Sequence, residues 1–278
     1  MTAPQTTESG VFRALHQRAG AFVIPNPWDV GSARLLASLG FEALATTSAG
    51  LAFSLGRPEG LLAREEVLAH CRAMTEATAL PVSADLEKGF GDSPESAAET
   101  IRAAAATGLA GCSIEDYTNR RDDPIFDFPL AVERIAAAAE AARGLPRDFV
   151  LTARSENFLW GRPDLDDTIR RLQAFEAAGA DVLYAPGLRS LDDIRSVCAA
   201  LQKPVNVVMG LPGAAFTVQD LAAAGVKRIS VGSAFARLAY GSLLAAAGEI
   251  AERGSFDALS GAIGFGELEE RFRSFMKT

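Results

Sequence analysis

From Ala21 onward the chain repeats one unit eight times: a short β-rich run, a loop, an alanine-rich helical stretch and often a glycine. The runs are residues 21–25, 43–47, 81–85, 111–115, 149–154, 181–185, 204–208 and 228–232. Strand and helix periods that alternate in this way read as βαβ units, whose strands lie parallel. Eight such units are the number that closes a (β/α)8 TIM barrel. An open doubly wound sheet would place a Gly-rich fingerprint after its first strand. Here the first run continues instead into Asn26, Pro27, Trp28 and Asp29.

Helix punctuation supports the count. Gly40, Gly108, Gly179 and Gly225 each close an Ala/Leu-rich stretch as a left-handed C-cap would. Ser93 before Pro94, Asp164 with Asp167, Ser190 with Asp193, and Thr217 with Asp220 read as N-caps followed by first-turn residues suited to the helix dipole. The 278 residues therefore read as one barrel domain over 1–278. Residues 1–20 form an N-terminal capping segment, amphipathic around Val11 to Gln17, and 254–278 a C-terminal helical extension. Helical stretches at 234–253 and 267–276 exceed what one barrel needs, and suit packing on a neighbouring subunit as well as on the parent barrel.

Composition removes several function classes. A net charge of −8 speaks against a nucleic-acid or anionic-membrane surface. No apolar run is long enough to span a bilayer, and the first ten residues lack the pattern of a signal peptide, so the expected location is cytoplasmic. Cys71, Cys112 and Cys198 are odd in number and far apart, which supports neither a disulfide framework nor a zinc knuckle. His16 and His70 fall in helical stretches away from any strand end. Acid–base work is thereby left to carboxylates, Arg, Tyr, Ser or water. An imine-forming lysine is also disfavoured, because Lys203 and Lys227 stand at strand starts and Lys88 lies in a loop.

Barrel chemistry sits at the C-terminal ends of the strands. Those positions hold Thr47, Ser48, Ala49 and Gly50 after the second strand, Asp85 and Glu87 after the third, Glu115 and Asp116 after the fourth, Arg154 on the fifth and Asn206 on the seventh. Asp85 and Glu87, spaced i, i+2, are expected to point the same way. Paired carboxylates can hold a hard divalent cation, which keeps several waters and takes few ligands from protein. Solvated turn residues are the plain alternative for the same pair. Arg154 is suited to an anionic substrate or to an ion pair with Glu115. The run from Thr47 to Gly50 offers backbone N–H groups to a carboxylate.

Read together, PNPWDVGSAR (25–34), TTSAG (46–50), ADLEKGFG (84–91), SIED (113–116), TARSE (152–156) and AGAD (178–181) resemble the isocitrate lyase / phosphoenolpyruvate mutase superfamily, in order along nearly the whole chain. The resemblance implies a (β/α)8 barrel that binds magnesium, or manganese, and a small 2-oxo acid or its enolate. It places the metal at Asp85 with Glu87 and Glu115, and the substrate carboxylate at Ser48, Ala49 and Gly50. Arg154 becomes the substrate-contacting cation. The resemblance also implies a homotetramer or homodimer in which a C-terminal helix swaps between subunits.

The stretch from Tyr117 to Phe126 departs from the lyases of that family, which carry K-[KR]-C-G-H there with the Cys as acid; this chain has neither Cys nor His. Mutases carry Lys and Asn in the same gate, where Arg121 and Asp123 stand here, and Pro186 replaces a common Glu or His after the sixth strand. The expected activity is a magnesium-dependent C–C lyase or decarboxylase acting through a metal-stabilised enolate, with Arg154, Glu115, Arg121 and Asp123 as catalytic candidates. A P–C mutase or hydrolase is the alternative. A barrel that binds an oxo acid or phosphate without turnover, through Gly210 to Gly213 and Gly232 with Ser233, is the reading from another class.

Overall fold

A computed structural model describes residues 8–213 and 215–276; residues 1–7, at the head of the expected capping segment, and the last two of the C-terminal extension lie outside the described residues. Eight parallel strands follow one another as β1 (Phe22–Ile24), β2 (Leu44–Ala45), β3 (Val82–Asp85), β4 (Gly111–Glu115), β5 (Val150–Arg154), β6 (Val182–Tyr184), β7 (Val205–Val208) and β8 (Arg228–Ser230). Around them lie α1 (Glu8–Gln17), α2 (Val30–Ser38), α3 (Ser48–Ser54), α4 (Arg64–Glu76), α5 (Pro94–Ala105), α6 (Phe128–Arg143), α7 (Leu165–Ala178), α8 (Leu191–Ala199), α9 (Val218–Ala223), α10 (Ala234–Arg253) and α11 (Phe265–Arg273). The ladder runs β1-β8-β7-β6-β5-β4-β3-β2, a (β/α)8 barrel whose open seam lies between β1 and β2. Ala45 N donates to Pro25 O across the seam at 3.0 Å. Asn26 reinforces it, donating to Thr46 O at 2.9 Å while its Oδ1 accepts from Val231 and Gly232.

Each strand lies within its expected run, and most are shorter because the flanking residues leave the ladder. The four expected C-cap glycines all have φ between +84° and +109°, a region that only glycine enters cheaply. Ser93, Asp164, Ser190 and Thr217 each accept from the backbone N–H three residues on. One element differs from the sequence reading. Thr47 to Gly50 is not an open loop but the first turn of α3, with Thr47 as its N-cap.

Helix α1, from the amphipathic stretch, packs on the floor of the barrel. Phe12 and Leu15 pack on Phe22, Ala43, Ala110, Val150 and Val182. Gly111 is required here, since a Cβ would stand 2.4 Å from Val150 O and 3.1 Å from the Phe12 ring. At the other end of the chain, α11 lies against α2, with Arg34 over the Phe275 ring. Leu243, Leu244 and Phe265 remain 61%, 72% and 81% exposed. Among the described residues no helix is long and apolar enough to cross a membrane.

His16 is wedged edge-on between Phe12 and Phe22, and its Nδ1 lies 2.9 Å from Phe12 O, which sets the neutral tautomer with Nδ1–H donating. Burial, with the nearby Arg228 charge, pushes its pKa down to about 3. The unfolded chain binds this proton below about pH 6.5 and the folded chain does not, so stability is lost as pH falls through that value. Urea unfolding at pH 7.5 and 5.5 should show wild type losing about 1.4 kcal/mol more between the two than His16→Leu does. Equal losses would mean that the folded protein takes the proton up.

Candidate active site

The register of β4 and β5 sets Glu115 directly opposite Arg154, and that of β5 and β6 sets Arg154 opposite Tyr184. From this position Arg154 reaches three carboxylates: Asp85 through Nη1 at 2.9 Å, Glu115 through Nη2 at 3.1 Å and Glu156 through Nε at 2.9 Å. Its guanidinium carbon lies 5.1 Å from the centre of the Tyr184 ring. Such a fan uses the fork of arginine fully, which a lysine ammonium would not match.

Asp85 ends β3 and is saturated with donors. Oδ2 accepts from the Ser48 hydroxyl at 2.9 Å and more weakly from Ser48 N, and Oδ1 accepts from Arg154 and Glu87 N. The Ser48 hydroxyl is also within hydrogen-bond reach of Glu59 Oε1. One hydroxyl hydrogen cannot serve two carboxylates, so the pair is satisfied when Glu59 holds a proton. Burial, helped by the Asp85 charge, raises the Glu59 pKa in that direction. Glu59 also takes the Ala49 amide, while the Gly50 amide caps onto Thr47. The Ser48 and Ala49 N–H groups at the start of α3 thus already face carboxylates, as the helix dipole favours.

Glu87 departs from the simple strand expectation. It lies beyond β3 at φ +49°, in a turn where Gly89 and Phe90 also have positive φ. The turn separates the two acids: Asp85 lines an inner cavity of about 230 Å³, and Glu87 an outer one of about 380 Å³. Glu59, Arg154 and Leu159 line both and form the partition. Burial and the charges of Asp85 and Glu59 push the Glu87 carboxyl up to about 7, although Asn119 donates to it. Burial likewise holds Glu115 well above the usual carboxylate range despite Arg154.

The segment after Asp116 folds back over the outer cavity as a small hairpin. Tyr117 pairs with Ile125 and stacks on Trp160 with ring centres 3.7 Å apart. Arg120 holds Asp92 at 2.8 Å, and Lys88 ties Asp92 to Thr118 O, so that lysine is a clip for the hairpin. Arg121 lines the outer cavity. Asp123 is 64% exposed on the far side, 3.9 Å from Arg120 and 3.8 Å from Arg162. Asp116 also points elsewhere, into a buried pair with Arg171. Asn206 lines the inner cavity with both ends of its amide engaged, one accepting from Arg228 and the other donating to Ser230.

Glu59 and Glu156 were not singled out by sequence reasoning. Glu156 lay inside a motif, two residues after Arg154, and that spacing was its signal. Glu59 stands in a loop behind α3 and had none. Cys71, Cys112 and Cys198 line neither cavity, and burial raises all three thiols.

The model of the family described as phosphoenolpyruvate phosphomutase matches residues 12–251. The chain belongs to that family. A provisionally assigned lyase/mutase of Burkholderia cenocepacia J2315 superposes on this family member with a TM-score of 0.93, at 56% identity and over 95% of each chain. Curated relatives include the 2-methylisocitrate lyase of Escherichia coli K12, 31% identical over 77% of this chain and 75% of that one. The oxaloacetate decarboxylase of Rhodopseudomonas palustris BisA53 is 31% identical over 80% and 77% respectively.

Within this family member Arg154 offsets the charges of buried Glu115 and Glu156 and of half-buried Asp85, so its loss leaves them unpaired. Arg154→Met should cost about 3–5 kcal/mol of stability at pH 7.5, as for other broken buried pairs. The deficit should shrink at pH 5.5, because carboxyls with raised pKa then bind protons that the unfolded chain does not. A deficit that is equal at the two pH values would show that these acids are already neutral beside Arg154.

Proposed function

We infer that this protein is a magnesium-dependent enzyme of lyase type that cleaves the C–C bond next to the pyruvate-like 2-oxo acid group of a small dicarboxylic acid, best read as decarboxylation of an oxaloacetate-type acid. The observation that carries this is the content of the two cavities. Their linings, among the described residues, supply Arg154, Arg121 and acids but neither a thiol nor an imidazole. Releasing a carbanion from a 2-hydroxy acid requires an acid to protonate the departing carbon. Loss of CO2 leaves its electron pair in a stabilised pyruvate enolate, whose C3 takes its proton from water.

Five carboxylates, Asp85, Glu59, Glu87, Glu115 and Glu156, gather around one guanidinium. No three His, Cys, Asp or Glu side chains among the described residues converge tightly enough to cage an ion. An all-oxygen set with excess negative charge and few direct ligands fits magnesium or manganese, which retain waters and take one or two carboxylates. Asp85 would hold the ion in exchange for some of its present donors, and Glu87 and Glu115, which line the outer cavity, would act through water. When bound, the ion would supply Lewis-acid stabilisation of charge on the 2-oxo oxygen.

The remaining work falls to side chains. The start of α3 receives the carboxylate beside the 2-oxo group, once Glu59 withdraws from Ser48 and Ala49. The bond between C3 and C4 breaks, its electron pair moves to the 2-oxo oxygen, and C4 leaves as CO2. Arg154 stabilises the enolate charge as it develops. C3 then takes a proton from water, giving pyruvate. The closed hairpin, with Tyr117 on Trp160, excludes solvent until that point.

Oxaloacetate and magnesium, followed by proton NMR, should give pyruvate faster than magnesium alone. Asp85→Asn should lower kcat/KM by roughly 100-fold, and Tyr117→Phe should retain activity within a few-fold. Loss of activity in Tyr117→Phe would instead assign a lyase acid to the hairpin. Arg121 beside Arg154 favours P–C chemistry as the second reading, and phosphonopyruvate consumed in place of oxaloacetate, seen by phosphorus NMR, would establish it.

The exposed apolar residues of α10 and of the segment after it support a homodimer or homotetramer. Light scattering after gel filtration should give a multiple of 29.2 kDa for wild type and a smaller particle for Leu243→Asp with Phe265→Asp. A monomeric wild type would overturn the assembly.

A further inference from the structure

The middle of a (β/α)8 barrel is ordinarily filled by layers of branched apolar side chains. This one is polar: Ser83, Ser113, Asn206, Arg228 and Ser230 all line the inner cavity, the same space that Asp85 and Arg154 face. Arg228 enters from the start of β8, next to Phe22 in β1 and Asn206 in β7, and is 5% exposed. Its Nε donates to Asn206 Oδ1 at 2.8 Å and its Nη2 to Thr152 Oγ1 at 2.9 Å. Nη1 is buried and has no hydrogen-bond partner among the described residues.

Other buried arginines among the described residues are paired with carboxylates or with several backbone carbonyls. Arg154 meets three carboxylates, Arg171 meets Asp116 and Asp167, and Arg134 reaches the carbonyls of Lys88, Gly91 and Ser93. Arg228 has neutral oxygens for two of its nitrogens, and none of the groups that act on its charge is a carboxylate. An unpaired buried cation is costly, and burial lowers its pKa to about 10, where it still carries its charge at neutral pH. Such a cost is ordinarily borne where a ligand repays it.

We propose that Arg228 is an anion subsite inside the barrel, which receives the second carboxylate of a dicarboxylic acid whose 2-oxo end is held between Asp85, Arg154 and the start of α3. This rests on the reading of the inner cavity as a 2-oxo acid site. Asn206 and Thr152 are its positioning residues, since each fixes one guanidinium nitrogen and leaves Nη1 open. A dianion then spans two cations in one cavity, and a monocarboxylate of equal length loses one of them. A water between Nη1 and the likewise unpartnered Nε2 of His16 is the competing occupant.

Calorimetric titration of the magnesium-loaded protein with succinate and butyrate isolates the second charge on a four-carbon chain, while oxalate reports on the enolate site alone. Wild type should bind succinate at least tenfold more tightly than butyrate. Arg228→Met should remove that preference, a charged hydrogen bond being worth roughly tenfold or more, and Arg228→Lys should keep most of it. Oxalate affinity should be unchanged in both variants, which also shows that they are folded. The melting temperature of Arg228→Met should not fall, because its unpaired charge is gone. Equal succinate affinity in wild type and Arg228→Met would overturn the subsite in favour of water. Failure of oxalate to bind wild type would instead overturn the 2-oxo acid reading, and a preference for succinate that still depended on Arg228 would keep the subsite without it.

Discussion

Arg154 holds the catalytic mouth of this barrel together because three strand ends deliver carboxylates to the same guanidinium. Removed from water, Asp85, Glu115 and Glu156 would repel one another strongly, and at an effective interior dielectric each close pair is worth several kcal/mol. One cation with five well-placed donors satisfies all three at 2.9 to 3.1 Å. The guanidinium is thus held in place before any anionic group arrives. Three carboxylates against one cation also leave a surplus of negative charge, which a divalent ion would balance.

The hairpin over the outer cavity depends on this charge layout. Lys88 and Arg120 both reach Asp92, on the loop that follows β3, so the cover is pinned to the same loop that carries Glu87. Tyr117 on Trp160 pins it from the side of β5. The hairpin is therefore anchored to both the β3 and the β5 side of the mouth. Below the mouth the barrel stays polar as far as Arg228, where α1 and its aromatic floor begin. Open space extends inward along the axis as well as outward to the cover.

Local signals carried the fold with little loss. Strand runs, left-handed glycines and N-cap residues are each short-range effects, and each acted where its residues stand. Asp85, Glu115 and Arg154 were legible because a barrel presents the ends of its strands to one face. Glu59 was not, since it reaches the site from a loop that only the packing of α3 brings over Asp85. Asp123 was placed at the gate by its position in the chain, yet the hairpin turns it outward toward Arg120 and Arg162. Ser48 to Gly50 were read as an open nest of amides. The same dipole that would draw a substrate carboxylate draws Glu59 there first.

By itself the sequence determined the number and order of the strands, the helix caps, the identity of the acids at the strand ends and the lack of a thiol acid in the gate. Each of these is set within a few residues by backbone preference or side-chain type. Tertiary structure alone decided that Arg154 would bind three carboxylates at once and that Glu87 would leave the strand for a separate cavity. It also decided that Arg228 would stand inside the barrel with no anion beside it. Those outcomes depend on the register between strands far apart in the chain, and on which charges the closed barrel removes from water together.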